Sequence, residues 1–302
     1  MFELWIPITI AAAFFQNLRS ALQKHLKGRL STAGAAYARF FYAFPFALIY
    51  LWALHAWGGL ALPAPNTQFL VYCLLGGVSQ ILFTALLLWL FSFRNFAVGT
   101  TFSKLEVVMV AVLGAVILGD GLSPLAVFAV ALSAVGVVGL SLGQAHLGLG
   151  ALIAGLASKP TLIGLACAAF LGGSVVFFRG AALSLGHDNV AMAAAYALAM
   201  ALGIQTVIMG AYLLFREPGE LGRVLRHWRW AGAVGVAGVL ASVGWFTAFT
   251  LQSAAYVRAV GQIELVFTFI ASVFVFRESV DWREFLSIGL IIAAILLIIL
   301  GR

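Results

Sequence analysis

Charge is what this sequence lacks. Only 9% of its 302 residues are Asp, Glu, Lys or Arg, while 64% are apolar or aromatic. A soluble domain typically carries about 25% charged residues. So few charges cannot cover a protein of this size in water, which leaves lipid as the solvent. Cysteine is almost absent. Cys73 and Cys167 each lie within an apolar run and form no CxxC pair, so a disulfide framework is excluded and small buried side chains are expected. HExxH and acidic metal clusters are missing too, which argues against an intramembrane enzyme. His55, His146, His187 and His227 fall in or near loops without metal-ligand spacing. No metal and no cofactor is expected. The N-terminus, MFELWIPITIAAAFF, lacks a basic leader and a clear cleavage site. It reads as a first permanent helix, not a removable signal.

Apolar runs, by contrast, are abundant. A spanning helix needs roughly 20 predominantly apolar residues. Ten segments qualify: 4–22, 35–54, 69–91, 97–118, 124–142, 161–183, 190–214, 231–251, 258–276 and 285–300. The expected fold is an all-α polytopic membrane protein. The glycine-rich stretch 144–160 reads as an interfacial linker rather than an eleventh span. It separates a first half, 1–143, from a second, 161–302.

The two halves repeat. A shift of 158 positions lays KLEVVMVAVLGAVILGDG over QIELVFTFIASVFVFRES. Glu106 then meets Glu264, Lys104 meets Gln262, and Asp120 meets Glu278. A weaker match pairs Tyr37 with Tyr196. Each half holds five spans, and five is odd. The halves would therefore be inverted repeats about an axis in the membrane plane, the architecture on which alternating access is built.

The net charge of +7 does not mark a nucleic-acid binder, because the basic residues sit in short loops and no stacking motif accompanies them. Loops on one side hold Lys24, Lys27, Arg29, Arg94, Lys159, Arg216, Arg223, Arg226, Arg229, Arg277 and Arg283. The other side holds Arg302 and, near a span end, Arg258. The positive-inside rule places the first set in the cytoplasm and both termini outside.

Ten spans in two halves, with an acid after the fourth span of each, resemble the drug/metabolite transporter superfamily, EamA type. Local markers are Arg39 in AYARFF, the small-residue stretches AVGTT and QSAAYV, and the acids of LGDGLSP and FRESVDW. The resemblance implies a transporter. It departs from the family in Lys104-Leu105-Glu106 and Gln262-Ile263-Glu264, where a Pro and apolar residues are usual, and in the uncharged loop GGLALPAPN. The family pattern would put the termini inside. The charge bias is the stronger argument here.

A charge at the bilayer centre costs at least ~2.5 kcal/mol, so intramembrane charges line a cavity, find a partner or do work. Glu106 and Glu264 are the first candidates for substrate coordination or proton exchange, and a structural ion pair with a nearby Arg is the alternative. Lys104, Gln262, Arg39 and Gln80 are further candidates for binding or coupling. Arg19 groups with Gln16 and Asn17. Arg179 and Arg258 lie near span ends and are expected to snorkel. Trp89, Phe91, Phe93, Trp245, Phe246 and Phe249 form aromatic clusters expected mainly to pack. The glycines Gly76-Gly77, Gly172-Gly173, Gly232, Gly235 and Gly238 allow close helix approach.

The expected protein is a secondary transporter of small organic metabolites, such as amino acids, working by export or exchange with possible proton coupling. A channel or a lipid-moving protein is the alternative. Its partners are a small-molecule substrate and the bilayer, as monomer or homodimer. A bacterial inner membrane is the expected location.

Overall fold

The computed structural model describes residues 3–26, 29–90, 93, 96–144, 150, 153, 158–270, 273 and 281–301. Every regular element among them is a helix. In chain order they are α1 (Trp5–His25), α2 (Thr32–Ala56), α3 (Thr67–Leu90), α4 (Phe96–Ser103) and α5 (Glu106–Leu113). A π-helical segment (Gly114–Leu118) and α6 (Pro124–Gln144) follow. The second half holds α7 (Lys159–Ser184), α8 (Val190–Arg216), α9 (Glu220–Arg226), α10 (Trp228–Leu251), α11 (Ala254–Gly261), α12 (Ile263–Ile270) and α13 (Trp282–Leu300).

Among the described residues, eight stretches are long and apolar enough to cross a membrane. They correspond to eight of the ten segments expected from sequence. The first expected segment does form a helix, α1, but Gln16, Asn17, Arg19, Gln23 and Lys24 make it too polar to rank with the others. The segment 258–276 is interrupted, and most of its last third lies outside the described residues, as do Phe91, His146, Glu278 and most of the 144–160 linker. Large apolar side chains such as Trp52, Val116, Phe215 and Trp282 stand exposed on helix surfaces. Such exposure is untenable in water and ordinary against lipid. The chain is an integral, multi-pass, all-α membrane protein.

The helices form two compact units, each drawing on both halves of the sequence. Unit 1 contains Met1–Ile81 and Phe177–Gln252; unit 2 contains Leu82–Val176 and Ser253–Arg302. The division passes within α3 and α7. In unit 1, α1 lies along α10, and α2 packs on both α8 and α10. Ala-rich faces of α2 and α8 let these helices approach closely around Tyr37, Phe40, Leu198 and Leu213. The start of α2 is held from outside the span. Ser31 caps it by accepting from the Gly34 N–H at 3.0 Å, while Glu220 of α9 accepts from the Ser31 N–H at 2.6 Å. Glu220 is fully buried and also pairs with Arg223. A carboxylate at a helix N-terminus meets both unpaired N–H groups and the positive end of the dipole.

In unit 2, α6 packs along α13. Gly136 and Gly139 face Ser287 and Ile291, so the two backbones approach without side chains between them. The elements α4, α5, α11 and α12 are short and lie against this pair.

Candidate functional site

The fourth and ninth expected spans are each broken, and at matching places. The first stops at Ser103 and restarts at Glu106; the second stops at Gly261 and restarts at Ile263. The interruptions, Lys104-Leu105 and Gln262, are related by the same shift of 158 positions that aligns the sequence halves. At both breaks the backbone tightens to i→i−3 hydrogen bonds. The Lys104 and Leu105 N–H groups donate to Thr101 and Phe102 at 3.1 Å. The Gln262 N–H donates to Ala259 at 3.3 Å and the Leu265 N–H to Gln262 at 2.9 Å. Such 3₁₀ turns inside a helix mark strain or a hinge. Ser103 assists the first break by donating its hydroxyl to the Thr100 carbonyl.

Both acids sit at these breaks. Glu106 is the first residue of α5, and Glu264 lies in the first turn of α12. Glu106 therefore opens a helix and does not lie within one continuous span. Between the two stands Arg258 of α11. Its guanidinium donates to Oε1 of Glu106 in a salt bridge, and its Nη2 lies 3.9 Å from Oε1 of Glu264. Arg258 is 8% exposed and Glu106 7%. Arg258 does not snorkel. The helix starts at Ala254, not at Arg258, so the residue lies a full turn inside it, and its side chain is held by Glu106. Two carboxylates share one cation, and the group carries a formal charge of −1. Gly172 of α7 lets its backbone press on α5. A Cβ there would sit 3.1 Å from Met109 Cβ and Val110 N.

The other predicted residues divide. Lys104 is exposed, whereas Glu106 two positions on is buried. Gln262 is buried and its Nε2 lies 3.5 Å from the Arg258 carbonyl oxygen, so it joins the Glu106–Arg258–Glu264 group. Gln80 and Arg39 belong to unit 1 and not to this group. Gln80 accepts at 2.6 Å from the amide of Gln205, joining α3 to α8. The guanidinium of Arg39 lies 4.6 Å from the Phe40 ring. Arg179 does not snorkel either. Its guanidinium donates to the carbonyls of Phe249 and Gln252 and satisfies the end of α10. Of the aromatics, Trp245 stacks on Phe249 at 5.6 Å and Phe246 packs on Phe178 at 5.0 Å. Trp89 contacts Phe93 but stands exposed. No group of His, Cys, Asp and Glu able to hold a metal occurs among the described residues.

Residues 159–300 match the model of the EamA-like transporter family. The C-terminal half of this chain belongs to that family. EamA-like proteins are membrane transporters, so the chain is a transporter and not an enzyme, with a small molecule as substrate. A crystal structure at 15% sequence identity is similar over 97% of this chain and 95% of the other, with a TM-score of 0.69. That likeness speaks for the fold alone. No curated protein matches the sequence.

The EamA-like region contributes Arg258, Gln262 and Glu264; Glu106 comes from the half outside the match. Three residues of this framework escaped sequence reasoning. Arg258 was placed at a span end because QSAAYV reads as a loop. Gln205 is a single amide in a long apolar run, and only its pairing with Gln80 gives it weight. Glu220 sits in the charged stretch REPGELGRVLRHWR, where a solvated face is the ordinary reading.

Proposed function

We propose that the protein is a secondary active transporter that exports or exchanges small organic metabolites, amino acids and related compounds among them, by alternating access. The observation that carries this reading is the pair of matching helix breaks with Glu106 and Glu264 gathered on Arg258. Discontinuous helices at corresponding places in two repeats are the feature by which transporters build sites at membrane depth. The reading includes two inverted five-helix repeats, 1–143 and 161–302, joined by 144–160.

The chemistry follows from the charge of the group. With both acids ionised, Arg258 ties α5 and α12 to α11. A proton or the cationic end of a substrate arriving on one carboxylate competes with Arg258 for it. That weakens one tie and leaves the other, and the 3₁₀ turns at 104–105 and 262 are where the short helices would swing. Glu106, Glu264 and Gln262 are the coupling or binding residues of this scheme. Lys104, which is exposed, is a rim residue of this scheme.

The membrane is taken as a bacterial inner membrane with both termini outside. Burial of Arg258 removes it from the loop count and leaves Arg302 as the basic residue of the outer side. With Cys73 and Cys167 replaced, single cysteines at positions 226 and 302 test this with an impermeant thiol reagent applied from outside. Labelling at 302 only is expected, and labelling at 226 only reverses the topology.

The function is tested by reconstituting the protein in liposomes and measuring uptake across a metabolite panel, with and without a proton gradient. Saturable, gradient-dependent flux that falls in E106Q and in E264Q is expected. Unsaturable flux insensitive to a gradient would instead identify a channel.

A further inference from the structure

Unit 1 carries a basic surface that the transport scheme does not use. It lies where α8 ends, α9 follows and α10 begins. Arg216 is the last residue of one apolar span and Trp228 the first of the next. Gly219, at φ 87°, turns the chain from α8 into α9. Within α9, residues three or four apart share a face. Glu220 and Val224 take the inner face and are fully buried. The Ser31 N–H donates to Glu220, and the Tyr42 hydroxyl donates to the Val224 carbonyl at 3.3 Å. His227 closes the helix, its Nδ1 lying 2.9 Å from the Arg223 carbonyl oxygen. This helix is too short to hold itself; packing against α2 fixes it in place.

The outer surface of α9 has two flanks. Arg223 and Arg226 share one and are exposed. Leu221 and Leu225 share the other, and Leu225 is 55% exposed. Arg216 and Arg229 stand exposed on either side of α9 in the chain. Beside them in sequence are Phe215 and Trp228, which are exposed too, and the Arg229 guanidinium lies 5.6 Å from the Trp228 ring. A Trp at a span end sits at headgroup depth. Residues 216–229 carry four arginines against two acids, Glu217 and Glu220. Glu220 faces inward and pairs with Arg223. Basic loops are general in membrane proteins and set orientation. This one is also folded, and it presents guanidiniums and apolar side chains together on an anchored surface between two spans. A soluble anion would leave the apolar flank idle. An anionic amphiphile at the bilayer surface matches both flanks.

We propose that Arg216, Arg226 and Arg229, with Arg223 beside them, bind the headgroups of anionic phospholipids, with Leu225 and Trp228 against the adjoining part of the acyl chains. Charge complementarity selects this partner. A guanidinium fork takes two phosphate oxygens at once. The phosphate of phosphatidylcholine is already balanced by its own ammonium, so lipids of net negative charge are preferred. The inference is independent of what the protein transports.

The experiment places the whole chain in phosphatidylcholine bilayers containing a trace of phosphatidylglycerol or phosphatidylcholine with the same chain-borne fluorophore. Energy transfer from the protein's tryptophans reports which labelled lipid gathers at its surface. A preference for phosphatidylglycerol of roughly fivefold is expected at low salt, declining as ionic strength rises. R216Q/R226Q/R229Q should bring the two lipids close to parity, and R226Q alone should lower the preference roughly twofold, which covers the case of a triple variant that does not fold. K159Q/R283Q removes two exposed charges of unit 2 and should leave the preference unchanged. Excess glycerol phosphate, added against choline chloride at equal ionic strength, should not displace the labelled lipid. Equal transfer to both lipids, a preference indifferent to salt, a preference kept by R226Q and by the triple variant or lost equally in K159Q/R283Q, or displacement by glycerol phosphate would overturn the proposal.

Discussion

Two units of similar construction carry opposite electrostatic problems. Unit 1 has ten basic residues and four acidic ones, while unit 2 has seven and six. Within the long helices of unit 1 the contrast is complete: arginines without a single carboxylate. Unit 2 instead answers Arg258 with two glutamates. The long helices of unit 1 are uninterrupted, and two of them, α2 and α8, are capped by Ser31 and Asn189, whereas unit 2 contains both broken ones. Continuous helices with satisfied ends resist bending, and helices interrupted by 3₁₀ turns invite it. The comparison makes the two breaks of unit 2, and not the long helices of unit 1, the places where bending is expected.

The largest effect is expected where that contrast is broken outright. Arg258→Leu removes the cation that pairs with the buried carboxylate of Glu106, and a broken buried pair typically costs about 3–5 kcal/mol. Chemical unfolding in detergent should register the loss. A smaller effect is expected from E220A in unit 1. It removes the acceptor of the Ser31 N–H and the anion at the start of α2, at a cost of about 1–3 kcal/mol in the same unfolding assay. That result would show that the acid of unit 1 is structural, in contrast to those of unit 2. G172V should press on α5 at Met109 and Val110 and cost about 1–3 kcal/mol. The smallest effect belongs to the amide pair. A double-mutant cycle on Gln80→Leu and Gln205→Leu should give a coupling of about 0.6 kcal/mol, the average for such bonds between membrane helices. A coupling of several kcal/mol would mean that unit 1 also depends on a buried polar centre.

The sequence shows the spans clearly, because a 20-residue apolar run has few alternatives once the solvent is lipid. It does not show where spans break. Lys104-Leu105 has neither Gly nor Pro beside it, so local propensity gives no warning of the first interruption, and the second is flagged only by Gly261 before Gln262. The repeat alignment did bring the two breaks into register, and it marked Glu106 and Glu264 as equivalent. Their common partner was hidden for a different reason. The depth of Arg258 was counted from a helix start placed four residues too late, and four residues is one full turn of burial. Arg39 and Arg19 were visible as intramembrane cations. Only the fold brings them to the same glycine, Gly238, because α1, α2 and α10 are far apart in the chain. Gln80 was visible too, but its partner Gln205 lies 125 positions away and has no neighbouring motif.

The central claim is that the Glu106–Arg258–Glu264 group works in transport and does not merely hold unit 2 together. The triple variant E106Q/R258Q/E264Q separates the two roles, since it removes all three charges of the group at once and keeps the side-chain shapes of the two acids. The measurement is substrate flux into liposomes containing wild-type or triple-variant protein, with unfolding midpoints recorded alongside. The account predicts a near-wild-type midpoint and a flux lowered roughly tenfold or more, equivalent to about 1.4 kcal/mol on the transport barrier. A triple variant that folds and carries substrate at the wild-type rate, with the same dependence on a proton gradient, would contradict it.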